Sequence, residues 1–413
     1  MKNTLFRKDF TLVAIGQIIS IFGNQILRYA LPLYLLNQTG SSALFGTISA
    51  AAFIPMLILF PIGGIIADRV NKRNIMVILD FAASGLIFLF CLLVGKIDIV
   101  PLMAVAMIIL YGIQGAYQPT VQASVPLLVS GEHIMQGNSV VNMINSLASM
   151  LGSVIGGILF SIFGLMPILY MSIGCFFASA VMEIFIKIPF EKKKSTGNMF
   201  AVGFYDLKES FRFIFKIKPI LWKLSLTFAS INLLLTSLIL IAVPVLITQH
   251  LGFEANIANR LCGYAQGVMG GGAILGGLIA GVLAKKIKPS AGSFLLIGCS
   301  FSVLTGGIAL QILNSQMGIY IILLIGCGLL TALSTLLQIQ VMTTIQILTP
   351  VDLTGKVISC VICICMCTNP AGQFIYGFIF ERAGAVPYLP FYGAALVMLI
   401  ITALTRRVFL FKL

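Results

Sequence analysis

About a dozen apolar stretches, each roughly 20 residues long or longer, follow one another along this chain of 413 residues. They fall near residues 10–36, 42–66, 74–95, 101–118, 138–163, 166–186, 220–248, 260–284, 291–313, 317–345, 355–380 and 388–405. A helix of about 20 apolar residues crosses the hydrocarbon core of a bilayer. In lipid every backbone polar group must find its partner inside the protein, so only helices and closed barrels can span it. None of the stretches alternates with the period of two that marks a barrel strand. The chain is therefore expected to be an all-α integral membrane protein with twelve transmembrane helices. Its surface chemistry agrees. Only 9% of residues are charged, against about a quarter in a soluble domain, too few to cover a water-exposed surface.

The charges that remain are strongly sorted. The chain carries 26 Lys and Arg and a formal net charge of +14. With the N-terminus inside, only Lys96, Arg260 and Arg382 fall on the outer side and only Arg28 within a span; every other Lys and Arg falls in a cytoplasmic segment. That is the asymmetry of the positive-inside rule, and it places both termini in the cytoplasm. The basicity therefore reports topology and contact with anionic lipid, and no nucleic-acid partner is expected. Lys2, Arg7 and Lys8 precede the first apolar stretch as in a signal peptide. That stretch is longer than the usual 7–15 residues and contains Gln17, Asn24 and Arg28, so it is read as a retained span. All nine cysteines lie within predicted spans, which argues against an extracellular disulfide framework.

The one long polar segment, from Pro189 to Pro219, carries Lys192, Lys193 and Lys194 and then a short amphipathic pattern over 204–213. It divides the chain into a six-helix bundle at 1–188, a cytoplasmic basic linker at 189–219 and a second six-helix bundle at 220–413. The halves echo each other. Pro32 and Gly40 recur as Pro244 and Gly252, both 212 residues later, and the run Gly64 to Arg73 has a weaker copy from Gly277 to Lys286. Parallel repeats are a common way of building secondary transporters, with substrate bound where the repeats meet.

Gly64-x-x-x-Asp68-Arg69-x-x-Lys72-Arg73 resembles the cytoplasmic signature between the second and third spans of the major facilitator superfamily. Asn71 stands where glycine is usual, a departure explained at this level by the tolerance of Asn for positive φ. The resemblance covers essentially the whole chain. Within the superfamily it is greatest to bacterial drug and macrolide exporters, on Arg28-x-x-Leu31-Pro32, Thr39-Gly40-Ser41, Pro119 and Val125-Pro126-Leu127-Leu128-Val129. It implies a fold of two pseudo-symmetric six-helix bundles that exchange access between the two sides of the membrane.

Gly64, Asp68, Arg69, Lys72 and Arg73 are the candidate gating residues. A carboxylate among three cations can form a charge cluster in one access state and lose it in the other, a bistable element. The bland alternative is that the cations only set topology. The resemblance implies that Asp68 faces the start of the eleventh span, near Thr349-Pro350-Val351-Asp352, where a helix dipole favours negative charge.

The resemblance also implies that the first, fourth, seventh and tenth spans line a central cavity, and each carries a helix-spaced polar row. Gln17, Asn24 and Arg28 share one face of the first span. Arg28 costs at least about 2.5–3.5 kcal/mol to place in lipid, so it must face protein or water. It either meets an anionic or carbonyl-rich substrate group, or pairs with a neighbouring helix's carbonyls or snorkels outward. The further candidates are Tyr111, Gln114 and Gln118 in the fourth span, Asn232 and Thr236 in the seventh, Thr335 and Gln338 in the tenth, and Asn369 and Gln373 in the eleventh. For any one of them, ordinary interhelical hydrogen bonding of about 0.6 kcal/mol competes with a substrate role. Tyr111-x-x-Gln114-Gly115 occupies the place of the superfamily's Arg-x-x-Gln-Gly, so the arginine associated there with proton transfer is missing. Asp80 and Glu183 read as lying towards the cytoplasmic ends of their spans, which leaves no acid deep in the membrane.

Gly152-Ser153-Val154-Ile155-Gly156-Gly157 resembles the antiporter signature Gly-Pro-x-x-Gly-Gly with serine for proline, and Gly263, Gly267 and Gly271 form a similar small-residue face in the eighth span. The Cys360-x-x-Cys363-x-Cys365-x-Cys367 run reads as buried cysteine, without a metal. No phosphate-binding loop and no catalytic constellation is present, so neither cofactor nor enzymatic activity is expected. The expectation is a monomeric secondary transporter in a bacterial cytoplasmic membrane, exporting an amphiphilic small molecule such as an antibiotic or secondary metabolite on an ion gradient, with a proton as the coupling ion. Alternatives are a lysophospholipid or siderophore carrier and, in another class, a non-transporting receptor or scaffold.

Overall fold

The computed structural model describes residues 8–129, 134–189, 212–283, 291–384 and 386–409. Twelve of its helices are long and apolar enough to cross a membrane, and no named strand occurs among the described residues. In chain order the helices are α1 (Lys8–Thr39), α2 (Ser42–Arg69), α3 (Lys72–Leu93), α4 (Ile99–Leu128), α5 (Ile134–Phe163) and α6 (Leu165–Ile184). They continue with α7 (Pro219–His250), α8 (Ala255–Leu283), α9 (Gly292–Ile312), α10 (Gln316–Leu348), α11 (Val351–Ala383) and α12 (Leu389–Phe409). The predicted amphipathic segment at 204–213 falls almost wholly outside the described residues.

The helices point large apolar side chains outward as well as inward. Val282, Phe294 and Leu404 are 82%, 75% and 76% exposed. Side chains of that size in such positions are at ease only against lipid.

Two compact units emerge. One comprises Met1–Lys194 with Phe253–Gly267, and the other Ser195–Gly252 with Val268–Leu413. In the first, α1 runs against α6: the Ser172 hydroxyl donates to the Gly23 carbonyl at 3.2 Å and the Ser179 hydroxyl to that of Gly16 at 3.0 Å. Between α2 and α4 the approach is closer still. A Cβ on Gly115 would lie 2.8 Å from the Met56 carbonyl oxygen and 2.9 Å from its Cα, so only glycine lets these backbones meet. An apolar core of Phe10, Met76, Tyr117, Val121, Val125 and Ile186 ties α1, α3 and α4 to the segment after α6.

The sequence echo between the halves has a conformational counterpart. Gly40 and Gly252, 212 residues apart, both hold a left-handed backbone, with φ of +64° and +71°, just beyond a proline-containing helix. Asn71 corrects the sequence reading. Its φ is −59°, and no residue other than glycine has positive φ among those described. Asn71 serves instead as the N-cap of α3, its side chain accepting from the Arg73 N–H at 3.0 Å. At the start of α11, Pro350 occupies the N-cap, while the Thr349 hydroxyl donates back to the Ile345 carbonyl of α10 at 2.7 Å.

The seventh span is not a uniform helix. Two stretches of α-helix, Pro219–Ile231 and Ser237–Val245, are interrupted by a π-helical turn at Asn232–Thr236, and a second π-turn closes the span at Leu246–His250.

Candidate functional site

In the first unit, the polar faces of α1 and α4 meet. The Asn24 side-chain amide donates to the Gln114 side-chain oxygen. One turn further along α1, the half-buried Arg28 guanidinium sits over the Tyr111 ring, 4.4 Å from its centroid, and 5.8 Å from that of Phe53 on α2. Phe53 and Tyr111 pack edge to face at 5.1 Å, so the cation rests in an aromatic corner. Such a contact contributes about 0.5–2 kcal/mol depending on desolvation. It leaves the guanidinium N–H groups unneutralised, because among the described residues no acid pairs with Arg28. Chemically, the corner is a partly desolvated cation with an amide pair one turn away, able to bind an anionic or carbonyl oxygen beside an apolar or aromatic body.

The other predicted residues of this unit separate. Gln118 is half-buried with its side-chain oxygen unpartnered. Gln17 does not join Asn24 and Arg28 in that corner. It is fully buried, with neither amide atom partnered, in the turn of α1 that touches α3 and α6.

In that turn lies a cluster to which sequence reasoning gave no role. Asp80 of α3 and Glu183 of α6 are 2% and 0% exposed. The Ser20 hydroxyl donates to Asp80 Oδ1 at 2.9 Å, and the Tyr117 hydroxyl to Glu183 Oε1 at 2.7 Å. Asp80 Oδ2 and Glu183 Oε2 have no partner. The sequence places both acids towards the ends of their spans; what it does not reveal is that packing encloses both. The signal available in the sequence was Asp80, an acid whose helical neighbours at three and four residues, Met76, Val77, Ala83 and Ser84, include no base.

The second unit gathers its polar residues at the π-turn of α7. The Ser237 hydroxyl is 2.7 Å from the Asn232 carbonyl oxygen and 2.8 Å from Asn369 Oδ1 of α11, and Tyr376 of α11 donates to the Leu234 carbonyl at 2.8 Å. Asn232, Thr236 and Thr335 are half-buried, Gln338 is exposed and Gln373 is buried. Asn232 and Asn369 are thus brought together through Ser237; among the described residues no hydrogen bond joins Thr236, Thr335, Gln338 or Gln373 to that node.

Of the predicted gate, Gly64 lies 4.0 Å, measured from a Cβ built on it, from Pro119 of α4. Arg69 is exposed at the end of α2, and Lys72 and Arg73 open α3 half-buried. The Asp68 side chain lies outside the described residues. So does that of Cys363; Cys360 and Cys365 are buried and Cys367 is exposed.

Of the small-residue faces flagged in the sequence, Gly152 and Gly156 pack against Gln25 and Ile26 of α1, while Gly157 meets Gly263 within the first unit. A Cβ on Gly157 of α5 would fall 2.7 Å from the Gly263 Cα of α8, and one on Gly263 would fall 3.1 Å from the Ser153 carbonyl oxygen. Beside this seam, Ser161 donates to the Asn256 carbonyl at 2.6 Å, and the Asn37 side chain donates to that of Asn259 at 2.8 Å.

Similarity to known proteins is consistent with this architecture. An uncharacterized MFS-type transporter of Bacillus subtilis (strain 168), YfiS, is 26% identical over 379 residues, covering 86% of this chain and 84% of that one. Macrolide efflux protein A of Streptococcus pyogenes is 25% identical over 191 residues, 46% of this chain and 47% of that protein. Among solved structures, a bacterial homologue of the iron transporter ferroportin superposes with a TM-score of 0.69 at 16% identity, covering 98% of both chains. A bacterial homologue of the human lysosomal transporter Spinster gives 0.67 at 15% identity, covering 97% of both. These structural likenesses speak for the fold. The Major Facilitator Superfamily sequence profile matches residues 13–367, and with twelve membrane-length helices carrying that profile across most of its length, the chain belongs to the Major Facilitator Superfamily of membrane transporters.

Proposed function

We propose that this transporter exports an amphiphilic small molecule, such as an antibiotic or secondary metabolite, from the bacterial cytoplasm by alternating access, using an ion gradient. The observation that carries the reading is the corner of Arg28, Tyr111 and Phe53 beside the Asn24–Gln114 pair. It offers one hydrogen-bonding cation within an otherwise aromatic and amide surface, which suits a ligand with a polar group on a large apolar frame. The similarity of nearly half the chain to a macrolide efflux protein supports a macrolide as the first probe. The topology has the N- and C-termini in the cytoplasm, on the side that holds most of the lysines and arginines.

Asp68 then acts as a latch, holding the basic residues Arg69, Lys72 and Arg73 in one access state and releasing them in the other. Purified protein in proteoliposomes, assayed for flux of a labelled macrolide with and without an imposed proton gradient, tests the whole reading. Asp68→Asn is expected to lower that flux about tenfold or more, equivalent to about 1.4 kcal/mol, with unchanged membrane insertion. Full flux by the variant removes the latch role. Macrolide binding without any flux by the wild type would make the protein a receptor.

A second reading, a carrier of anionic amphiphiles of lysophospholipid or siderophore type, is favoured specifically by Arg28, which has no acid partner among the described residues.

A further inference from the structure

The buried carboxyl pair of the first unit has no part in the substrate corner, yet it is held by the same helices. Successive turns of α1 touch both: a Cβ on Gly16 would lie 3.6 Å from Glu183 Cγ, and Ser20, four residues on, bonds to Asp80 at 2.9 Å. No Lys or Arg pairs with either among the described residues; the groups that reach them are hydroxyls, those of Ser20, Ser179 and Tyr117. Arg73 lies seven residues back along α3, about 10 Å away at 1.5 Å per residue. Lys187 is exposed beyond the end of α6, and there its backbone N–H bonds to Asp9 Oδ1 at 3.0 Å. Tyr117, fully buried, is the one other titratable side chain that contacts the pair from α4, and α1 contributes only Gln17, Ser20 and the packing of Gly16 against Glu183.

Two buried carboxylates without a cation are an unstable arrangement, since an isolated buried charge is heavily penalised and two together repel. Something positive must occupy the site for part of the cycle. The donor set decides what. Each carboxyl group already accepts one hydrogen bond, which leaves Asp80 Oδ2 and Glu183 Oε2 free. Gln17 emerges from the same turn of α1, fully buried, with its amide nitrogen and oxygen both unpartnered. A hard metal cation asks for about six oxygen ligands or more, and two carboxyl oxygens with one amide oxygen fall far short. No group of three or more metal-ligating side chains occurs among the described residues. A proton needs only one oxygen to bind and a second to share it with. Once the proton is bound, the carboxyl O–H becomes a donor, for which the other carboxylate is the acceptor the proposal assigns.

We propose that Asp80 and Glu183 form a proton-binding site that couples transport to the proton gradient. A proton arriving from one side of the membrane forms an O–H bond at one free carboxyl oxygen and is shared with the other. The bond breaks later in the cycle and the same proton leaves to the opposite side, so charge and atoms balance without any further reactant. The coupling is mechanical. Ser20 lies four residues before Asn24 on α1, and Tyr117 lies three residues after Gln114 on α4. These two hydroxyls that grip the carboxyl pair thus belong to the two helices joined by the Asn24–Gln114 bond. Gain or loss of the proton changes which bonds Ser20 and Tyr117 can make to the pair, and so changes how α1 and α4 sit against α3 and α6.

This inference rests on the transport reading for its purpose, but the site can be tested without it. Infrared spectra of the purified protein across pH should show a protonated-carboxyl C=O band that rises as pH falls. In Asp80→Asn, Glu183→Gln and the double variant, each checked for an intact thermal melt, the part of that band belonging to the pair should be lost. Tyr117→Phe, which removes one donor and keeps the ring, should move the pH at which the band titrates. Identical spectra in wild type and double variant would overturn the site. A band that responds to sodium at constant pH would overturn its assignment to a proton. In proteoliposomes, macrolide flux driven by a proton gradient should fall at least tenfold in the double variant; undiminished flux together with loss of the band would overturn the coupling. If the wild type moves no macrolide at all, the export reading fails while the infrared result still stands or falls by itself.

Discussion

Replacing Arg28 with Leu is expected to cut the flux of anionic amphiphiles about thirtyfold or more while leaving neutral ones within a few-fold of wild type. Removing one partner from a buried, hydrogen-bonded charge contact costs about 2 kcal/mol or more, and 1.4 kcal/mol is a factor of ten. The change cannot be dismissed as failed insertion, because leucine is easier to place in lipid than arginine by about 3 kcal/mol or more on the insertion scale. Two companion variants separate the parts of the corner. Tyr111→Phe keeps the ring beneath the guanidinium and should transport nearly normally. Tyr111→Leu removes the ring and should lose about 0.5–2 kcal/mol of positioning. Flux measured in proteoliposomes over matched anionic and neutral ligands decides the matter. If Arg28→Leu changes neither, the arginine is structural and the anionic-carrier reading falls with it.

The second large effect concerns the seam between α5 and α8. Gly157→Val should destabilise the protein by about 3 kcal/mol, at the upper end for overpacking a well-packed site. A single Cβ at that position already meets the Gly263 Cα at 2.7 Å and the Tyr29 hydroxyl at 3.1 Å, and a backbone atom cannot rotate out of the way as a side chain can. Thermal melts in detergent measure the loss. Gly157→Ala and Gly263→Ala should each cost less, and together less than their sum, since one parting of the helices accommodates both methyl groups. Strict additivity would mean that the helices do not meet there.

Both sites show how far the sequence could be read. The spans were legible because lipid leaves a chain few alternatives, and the duplication was legible because Pro32 with Gly40 and Pro244 with Gly252 mark the same helix ending twice. The left-handed backbone at both glycines gives that spacing a physical cause. The Asn24–Arg28 face and the Tyr111–Gln114 face could be found by periodicity, and packing then joined them through Asn24 and Gln114. Gln17 shares the periodicity of that face but is buried away from the corner, since α1 touches α4, α3 and α6 within a few turns. Asp80 and Glu183 escaped for a related reason. Distance along a helix says how close a residue is to the helix end, whereas enclosure depends on three other helices that a linear pattern does not represent. The row of Asn232 and Thr236 poses a different difficulty. It was read at 3.6 residues per turn, whereas the helix takes a wider π-turn over those residues, which an apolar–polar pattern does not reveal.

That π-turn means the seventh span carries slack. A π-turn holds one residue more than the α-helical turn it replaces, and here the Asn232 carbonyl accepts both the Ser237 N–H and the Ser237 hydroxyl. If the bulge tightened to α geometry, the expelled residue would swivel everything beyond it by about 100° and shift it by about 1.5 Å. The helix could therefore show a different side chain to a passing ligand without bending, unfolding or parting from its neighbours.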